Sequence, residues 1–164
     1  MVIILLADGF EELEALSPLD ILLREGLETK TVGITGKYVT GTHGVVVKSD
    51  LDPSDVDLNK IEAVIFPGGM PGALNLDAAE FTDKAIEAAL KRGARLAAIC
   101  AAPLVLGRRG LLDGREATCF PGFEDELQGA IIKDKPVVTS GNITTAKNYE
   151  AAFAFGKELA RLLR

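Results

Sequence analysis

The sequence predicts a doubly wound α/β sandwich, on three observations. Short apolar runs alternate with amphipathic segments, glycine-rich turns follow several of those runs, and 164 residues suit one domain spanning residues 1–164. A chain of this size buries roughly 70% of the surface that its unfolded form exposes. Its apolar fraction of 48% and mean hydropathy of +0.21 supply the material for such a core.

The first run, "VIILL" (Val2 to Leu6), is apolar throughout, as a strand covered on both faces would be. Helical spacing follows over Glu11 to Glu25, with Leu13, Leu16 and Leu19 or Leu23 as a candidate buried stripe and Asp8 and Glu11 at capping-box spacing. Pro18 leaves two readings open. A continuous helix would loosen where Pro18 fails to donate to the Glu14 carbonyl, or Ser17 caps a second helix with Pro18 at its first position.

"TKTVGI" (Thr29 to Ile34) reads as the second strand, and Tyr38 to Asp55, with glycine turns around a short strand, as a hairpin set apart from the main sheet. "AVIF" (Ala63 to Phe66), "RLAAI" (Arg95 to Ile99) and "PVVTS" (Pro136 to Ser140) are further strands. Phe81 to Arg92, Ala101 to Arg109 and Thr144 to Leu163 have apolar positions three or four apart and read as helices. Such a βαβ rhythm implies a parallel sheet with helices on both faces. No internal repeat, low-complexity tract or linker divides the chain.

Composition excludes several classes of partner. Eighteen basic against 24 acidic residues give a net charge of −6, and no basic cluster is denser than "LKRGAR". Nucleic acid and anionic membrane are poor partners for such a surface. The start lacks a basic leader and a small-residue cleavage site, and the longest apolar run, Leu96 to Leu106, is interrupted by Pro103. No signal peptide or membrane span is expected, and the cytoplasm is the expected location. Two cysteines without C-x-x-C spacing and a single histidine argue against a disulfide scaffold and against a metal site.

In an open α/β sheet, ligands gather beyond the carboxyl ends of the strands. Three segments there carry unusual chemistry: "ADGFEELEAL", "PGGMPGALNL" and "CAAPLVLG". Cys100 falls at a strand-to-helix turn between small residues, where an elbow would present the thiol over a helix N-terminus and lower its pKa. A buried, inert cysteine fits the same spacing. Gly68 and Gly69 permit a close backbone approach, so an N–H of this turn and that of Ala101 could hold an oxyanion; an ordinary tight turn is the alternative. His43, in "GTHG", would serve a Cys–His dyad only if the hairpin reached the elbow, within the chain or across a dimer interface. A turn residue or a contact with a partner subunit is the simpler reading.

Taken together, "ADGFEELEA", "VIFPGGMPGALNL", "AAICAAP", "ATCFPGFED" and "VVTSGNITTA" resemble the ThiJ/PfpI superfamily, specifically its parkinsonism-associated deglycase, glyoxalase III-like branch. The resemblance spans essentially the whole chain. It implies a flavodoxin-like sandwich, a homodimer and an oxidation-prone Cys100, with Glu14 in the place of the glutamate that hydrogen-bonds the cysteine. Gly69 and Ala101 match the backbone donors that face it. The implied activities are cofactor-free conversion of methylglyoxal to lactate, removal of early glycation adducts from proteins, and protection under oxidative stress. The implied partner is accordingly a small aldehyde or a glycated protein.

Two departures stand out. Ala101 occupies the place of the histidine of the peptidase-like branch, which argues against peptidase activity. Phe120 stands where some members of the deglycase branch carry a histidine, so a proton shuttle or anion contact is lost there and the substrate class is left open. Neighbouring Cys119 is either a packed thiol or a resolving cysteine.

Overall fold

The computed structural model describes residues 1–164. Its elements, in chain order, are β1 (Val2–Leu6), α1 (Glu12–Arg24), β2 (Thr29–Gly33), the hairpin strands β3 (Tyr38–Thr40) and β4 (Val46–Lys48), β5 (Ala63–Phe66), α2 (Gly72–Ala78) and α3 (Glu80–Arg92). There follow β6 (Arg95–Ile99), α4 (Pro103–Gly107), two short strands β7 (Glu116–Ala117) and β8 (Ile131–Ile132), then β9 (Val137–Ser140), β10 (Ile143–Ala146) and α5 (Ala152–Leu163).

Six strands form the central sheet in the order β2-β1-β5-β6-β10-β9, all parallel except β9, which pairs antiparallel with β10. Counted among the parallel strands alone, this is the flavodoxin-like order, whose direction reverses between β1 and β5. Period-two alternation divides the strand side chains between two cores. Ile3, Leu5, Val64, Phe66, Leu96 and Ala98 face Leu76, Ala85, Ile86, Ala89 and Leu104 of α2, α3 and α4. Val2, Ile4, Leu6, Ile65, Ala97 and Ile99 face Ala15, Ile21, Leu22, Phe155 and Leu159 of α1 and α5. Strands sandwiched in this way must be apolar on both faces, which is why "VIILL" and "AVIF" show no polar alternation.

Several expectations change in the fold. The segment beginning at Thr144 is not helical at its start: Ile143–Ala146 is a strand between β6 and β9, and the last helix begins only at Ala152. β9 is therefore an antiparallel edge strand rather than a buried parallel one. The helix expected from Ala101 shrinks to the five residues of α4.

α1 runs continuously through Pro18, with Glu11 as its N-cap accepting from the Glu14 amide at 2.9 Å. Asp8 does not cap it; its carboxylate takes the Thr40 amide and ties the hairpin to the sheet. The buried face of α1 is Glu14, Ala15, Pro18, Ile21 and Leu22, while Leu13 and Leu23 are exposed. Because α1 lies against α5, where Pro18 and Ile21 meet Gly156, the expected stripe splits: Leu19 packs half-buried against the core, and Leu13 and Leu23 are turned outward. The hairpin β3–β4 forms its own two-stranded sheet, as its glycine turns suggest. No helix is long and apolar enough to cross a membrane.

Candidate active site

β1, β5 and β6 are adjacent in the sheet, so the three segments that leave their carboxyl ends meet at the point where strand order reverses. Cys100 follows β6 directly and has φ +65°, the only residue other than glycine with positive φ. Such a conformation costs on the order of 1–3 kcal/mol and persists only where neighbours enforce it. Two hydrogen bonds enforce it here. The Cys100 amide donates to the Ala146 carbonyl at 2.9 Å, and the Phe120 amide donates to the Cys100 carbonyl at 2.8 Å. The sharp turn aims the side chain away from the sheet and leaves the residue half-buried.

Glu14 meets the sulfur from α1. The residue is 1% exposed, shares a hydrogen bond with the Cys100 thiol and accepts the Gly68 amide on Oε2 at 2.9 Å. Gly68 must lack a side chain for this meeting to occur, since a Cβ there would lie 2.5 Å from Glu14 Oε2 and 2.7 Å from Cys100 Cβ. Gly69 has φ +89° and its backbone is pressed against Gly9 and Glu11, which leaves no room for a side chain. The Gly69 and Ala101 amides both face the sulfur.

Electrostatics correct one expectation. Burial raises the Glu14 carboxyl to about 7, helped by the charge of Glu11 and opposed by the Cys100 and Gly68 hydrogen bonds. Burial likewise pushes the Cys100 thiol up rather than down, and an ionised Glu14 adds to the rise; the Ala101 and Gly69 amides pull the other way. The expected lowering relied on a helix N-terminus behind the sulfur, but α4 is a five-residue helix that begins at Pro103. A thiolate is therefore favoured only when Glu14 holds the proton.

His43 lies elsewhere. Its Nδ1 is 2.7 Å from Glu12 Oε2, and its hydrogen bonds are to Glu12 and Thr42, with none to Cys100. The hydrogen bond to Glu12 raises the imidazole pKa. Glu12 is held at about 2, because bonds from the His43 ring and amide and from Thr42 outweigh the upward pull of burial. Phe120 is 40% exposed, with its ring edge-on to Phe123 at 6.4 Å between centroids. Cys119 is 4% exposed and burial raises its thiol to about 11, with Glu124 adding to the effect. It lines a recess of about 270 Å³ with Thr118, Lys133 and Lys147, whereas no cavity is lined by Cys100. Cys100 therefore sits near the surface rather than at the base of a deep pocket.

Cys100, Glu14, Gly69 and Ala101 thus converge, and His43 stays apart from them. Sequence reasoning missed the Gly68 amide as the partner of Glu14 and missed Glu12 as the anchor of the hairpin. Adjacent glutamates before an apolar helix look like ordinary N-terminal acidic residues, so only the three-dimensional path of "GTHG" reveals what Glu12 holds.

A model described as the DJ-1/PfpI family matches residues 1–162. A protein of Thermococcus kodakarensis named a deglycase is 34% identical over 168 aligned positions, covering 99% of this chain and 99% of its own. The Drosophila melanogaster protein dj-1beta is 29% identical over 98% of this chain and 88% of its own. Among solved structures, oxidized DJ-1 of Toxoplasma gondii superposes with a TM-score of 0.94 at 32% identity, over 99% of this chain and 89% of that one.

Proposed function

Since the chain belongs to the DJ-1/PfpI family, we propose that it is a cysteine-dependent protective enzyme acting on reactive aldehydes, converting methylglyoxal to lactate or removing the corresponding early adducts from proteins. A relative named a deglycase supports this reading. The observation that carries it is the meeting of a buried carboxyl, raised to about 7 by burial, with an elbow cysteine that two main-chain amides also face.

The Cys100 thiolate adds to the aldehyde carbon, and the new oxyanion turns to the Gly69 and Ala101 amides. Glu14 gives that oxygen its proton, forming a hemithioacetal, and becomes the carboxylate. It then removes the hydrogen from the former aldehyde carbon and gives it to the adjacent carbonyl oxygen, forming an enediol. Next it carries the proton of the first hydroxyl to that adjacent carbon, so that the first oxygen becomes the thioester carbonyl. The product is a 2-hydroxyacyl thioester on Cys100. Water hydrolyses it to the 2-hydroxy acid, one proton of the water returns to Glu14 and the thiolate is restored, so one aldehyde and one water give one acid. The scheme calls for no nicotinamide, metal or other cofactor.

Because no cavity encloses Cys100, both a small aldehyde and an adduct on a protein surface can approach it. Lactate formation from methylglyoxal without glutathione, compared with release from a glycated peptide, ranks the two substrates. Cys100→Ser is expected to abolish both, and undiminished turnover in that variant would end the proposal.

A redox-sensing role is the second reading, favoured by the same carboxyl beside the same sulfur and by the oxidized state of the Toxoplasma gondii relative. Peroxide would convert the Cys100 thiolate to a sulfenic and then a sulfinic acid, each step adding one oxygen and releasing water. Oxygen addition confined to Cys100 in intact-mass spectra, with no aldehyde turnover, would favour this reading.

The proposed assembly is a homodimer. Leu13 on α1 and Tyr38, Val45 and Val46 on the hairpin are exposed apolar side chains on segments that Glu12 ties together, and sedimentation equilibrium tests it.

A further inference from the structure

The tip of the β3–β4 hairpin is drawn onto the start of α1. The His43 amide donates to Glu12 Oε1 at 2.7 Å and the Thr42 hydroxyl donates to Glu12 Oε2 at 3.0 Å, while His43 Nδ1 stands 2.7 Å from that same Oε2. An ion pair accounts for this much, but not for Glu11. Its Oε2 takes the Glu14 amide, which leaves Oε1 at 3.8 Å from His43 Nδ1 with no donor of its own. One imidazole nitrogen and two carboxylate oxygens, brought together from two separate segments, therefore lie within 4.8 Å of one another.

We infer that Glu11, Glu12 and His43 form a binding site for a divalent cation of the zinc type, beside the Cys100 centre and outside its reaction. The donor set selects the class of ion. Imidazole with carboxylates suits zinc and its transition-metal neighbours, whereas calcium and magnesium favour sets made of oxygen alone.

Spacing agrees with the choice. Ligands at about 2.0–2.2 Å from a tetrahedral zinc lie roughly 3.4 Å from one another, and the separations of 2.7 and 3.8 Å from Nδ1 bracket that figure. The cation replaces the proton shared between His43 and Glu12 and takes one oxygen from each carboxylate.

Outer partners are already in place. The His43 amide and Thr42 hydroxyl orient Glu12, and the Glu14 amide orients Glu11, as hydrogen bonds commonly orient metal-bound carboxylates. Both carboxylates are largely buried, and the His43 side chain is 72% exposed in the single chain, so a fourth coordination position opens on the outer side of the hairpin, toward water or the partner of the proposed dimer. A lone histidine made a metal site a poor expectation from the sequence, and the fold supplies the two missing ligands.

Zn2+ titration by calorimetry tests the site in a chain carrying both Cys100→Ser and Cys119→Ser, which removes the thiols as competing ligands. One Zn2+ per chain is expected. In that background His43→Ala and Glu11→Gln should each weaken binding at least about ten-fold, with circular dichroism unchanged. Glu11→Gln leaves the His43–Glu12 pair intact, so it decides the matter even if His43→Ala disturbs the hairpin. Absence of Zn2+ binding in the serine background, or undiminished affinity in Glu11→Gln, would overturn the site.

Discussion

Glu14 and Cys100 hold two exchangeable protons between them, and burial governs when the first one leaves. With the Glu14 carboxyl at about 7 and the thiol far above it, the pair passes from uncharged to a single negative charge as the pH rises through about 7. That charge is shared between carboxylate with thiol and carboxylic acid with thiolate, and only the second arrangement is nucleophilic. The rate of Cys100 alkylation by iodoacetamide is therefore expected to climb through about pH 7 and then level off. Glu14→Gln should erase the step, and labelling followed by mass spectrometry reads both profiles. A step that survives in Glu14→Gln would mean that the two residues do not share the proton. The sequence shows Cys100, Glu14, Gly69 and Ala101 through residue type, order and resemblance. It does not show the direction of the thiol shift, because that depends on depth of burial and on a helix whose length only packing decides.

β10 is the element whose identity is least visible in the chain. Its "ITTA" places two threonines at fully buried positions, 0% exposed for Thr144 and 1% for Thr145. Local polarity therefore points away from a central strand, and the amphipathic stretch that follows pulls the reading toward helix. Hydrogen bonds resolve the polarity: Thr145 Oγ1 accepts the Thr118 amide at 2.9 Å, and Thr144 Oγ1 lies 3.1 Å from the hydroxyl of Thr139 across the hairpin. Thr145→Val keeps the shape and strands a buried amide, so it should cost about 1–3 kcal/mol, measured by urea unfolding. A variant as stable as the parent would show that the Thr118 amide has another partner. The other strands are legible because burial on both faces leaves an unbroken apolar run, and the hairpin because its turns need glycine. For α1 the spacing shows the helix but not its contact face, which the meeting with α5 selects.

The stability of the whole molecule responds to pH through two carboxyls that pull in opposite directions. Glu14 is raised from its ordinary 4.5 to about 7, so the folded state keeps a proton that the unfolded chain has released between those values. Its contribution is fully present below about pH 4.5 and is lost as the pH rises to about 7, a change on the order of 3 kcal/mol. Glu12 is lowered from 4.5 to about 2, so its contribution is present above about 4.5 and is lost as the pH falls toward 2. Urea midpoints are expected to peak near about pH 5 and to decline toward about pH 8. Glu14→Gln should flatten the decline between about pH 5 and 7, leave the later loss that follows release of the His43 proton, whose pKa Glu12 raises, and leave the acid limb unchanged. An unaltered alkaline decline in that variant would assign it to other groups.

The main-chain clamp on Cys100 bears on how such a protein can diverge. Its amide is held by Ala146 and its carbonyl by Phe120, while the groups facing its sulfur and Glu14 are the amides of Gly68, Gly69 and Ala101. None of these hydrogen bonds depends on the side chain of Ala146, Phe120 or Ala101. The side chain at Phe120 can therefore be exchanged while the sulfur keeps its place. The position of the sulfur is inherited with the backbone, and the side chains around it are free to drift.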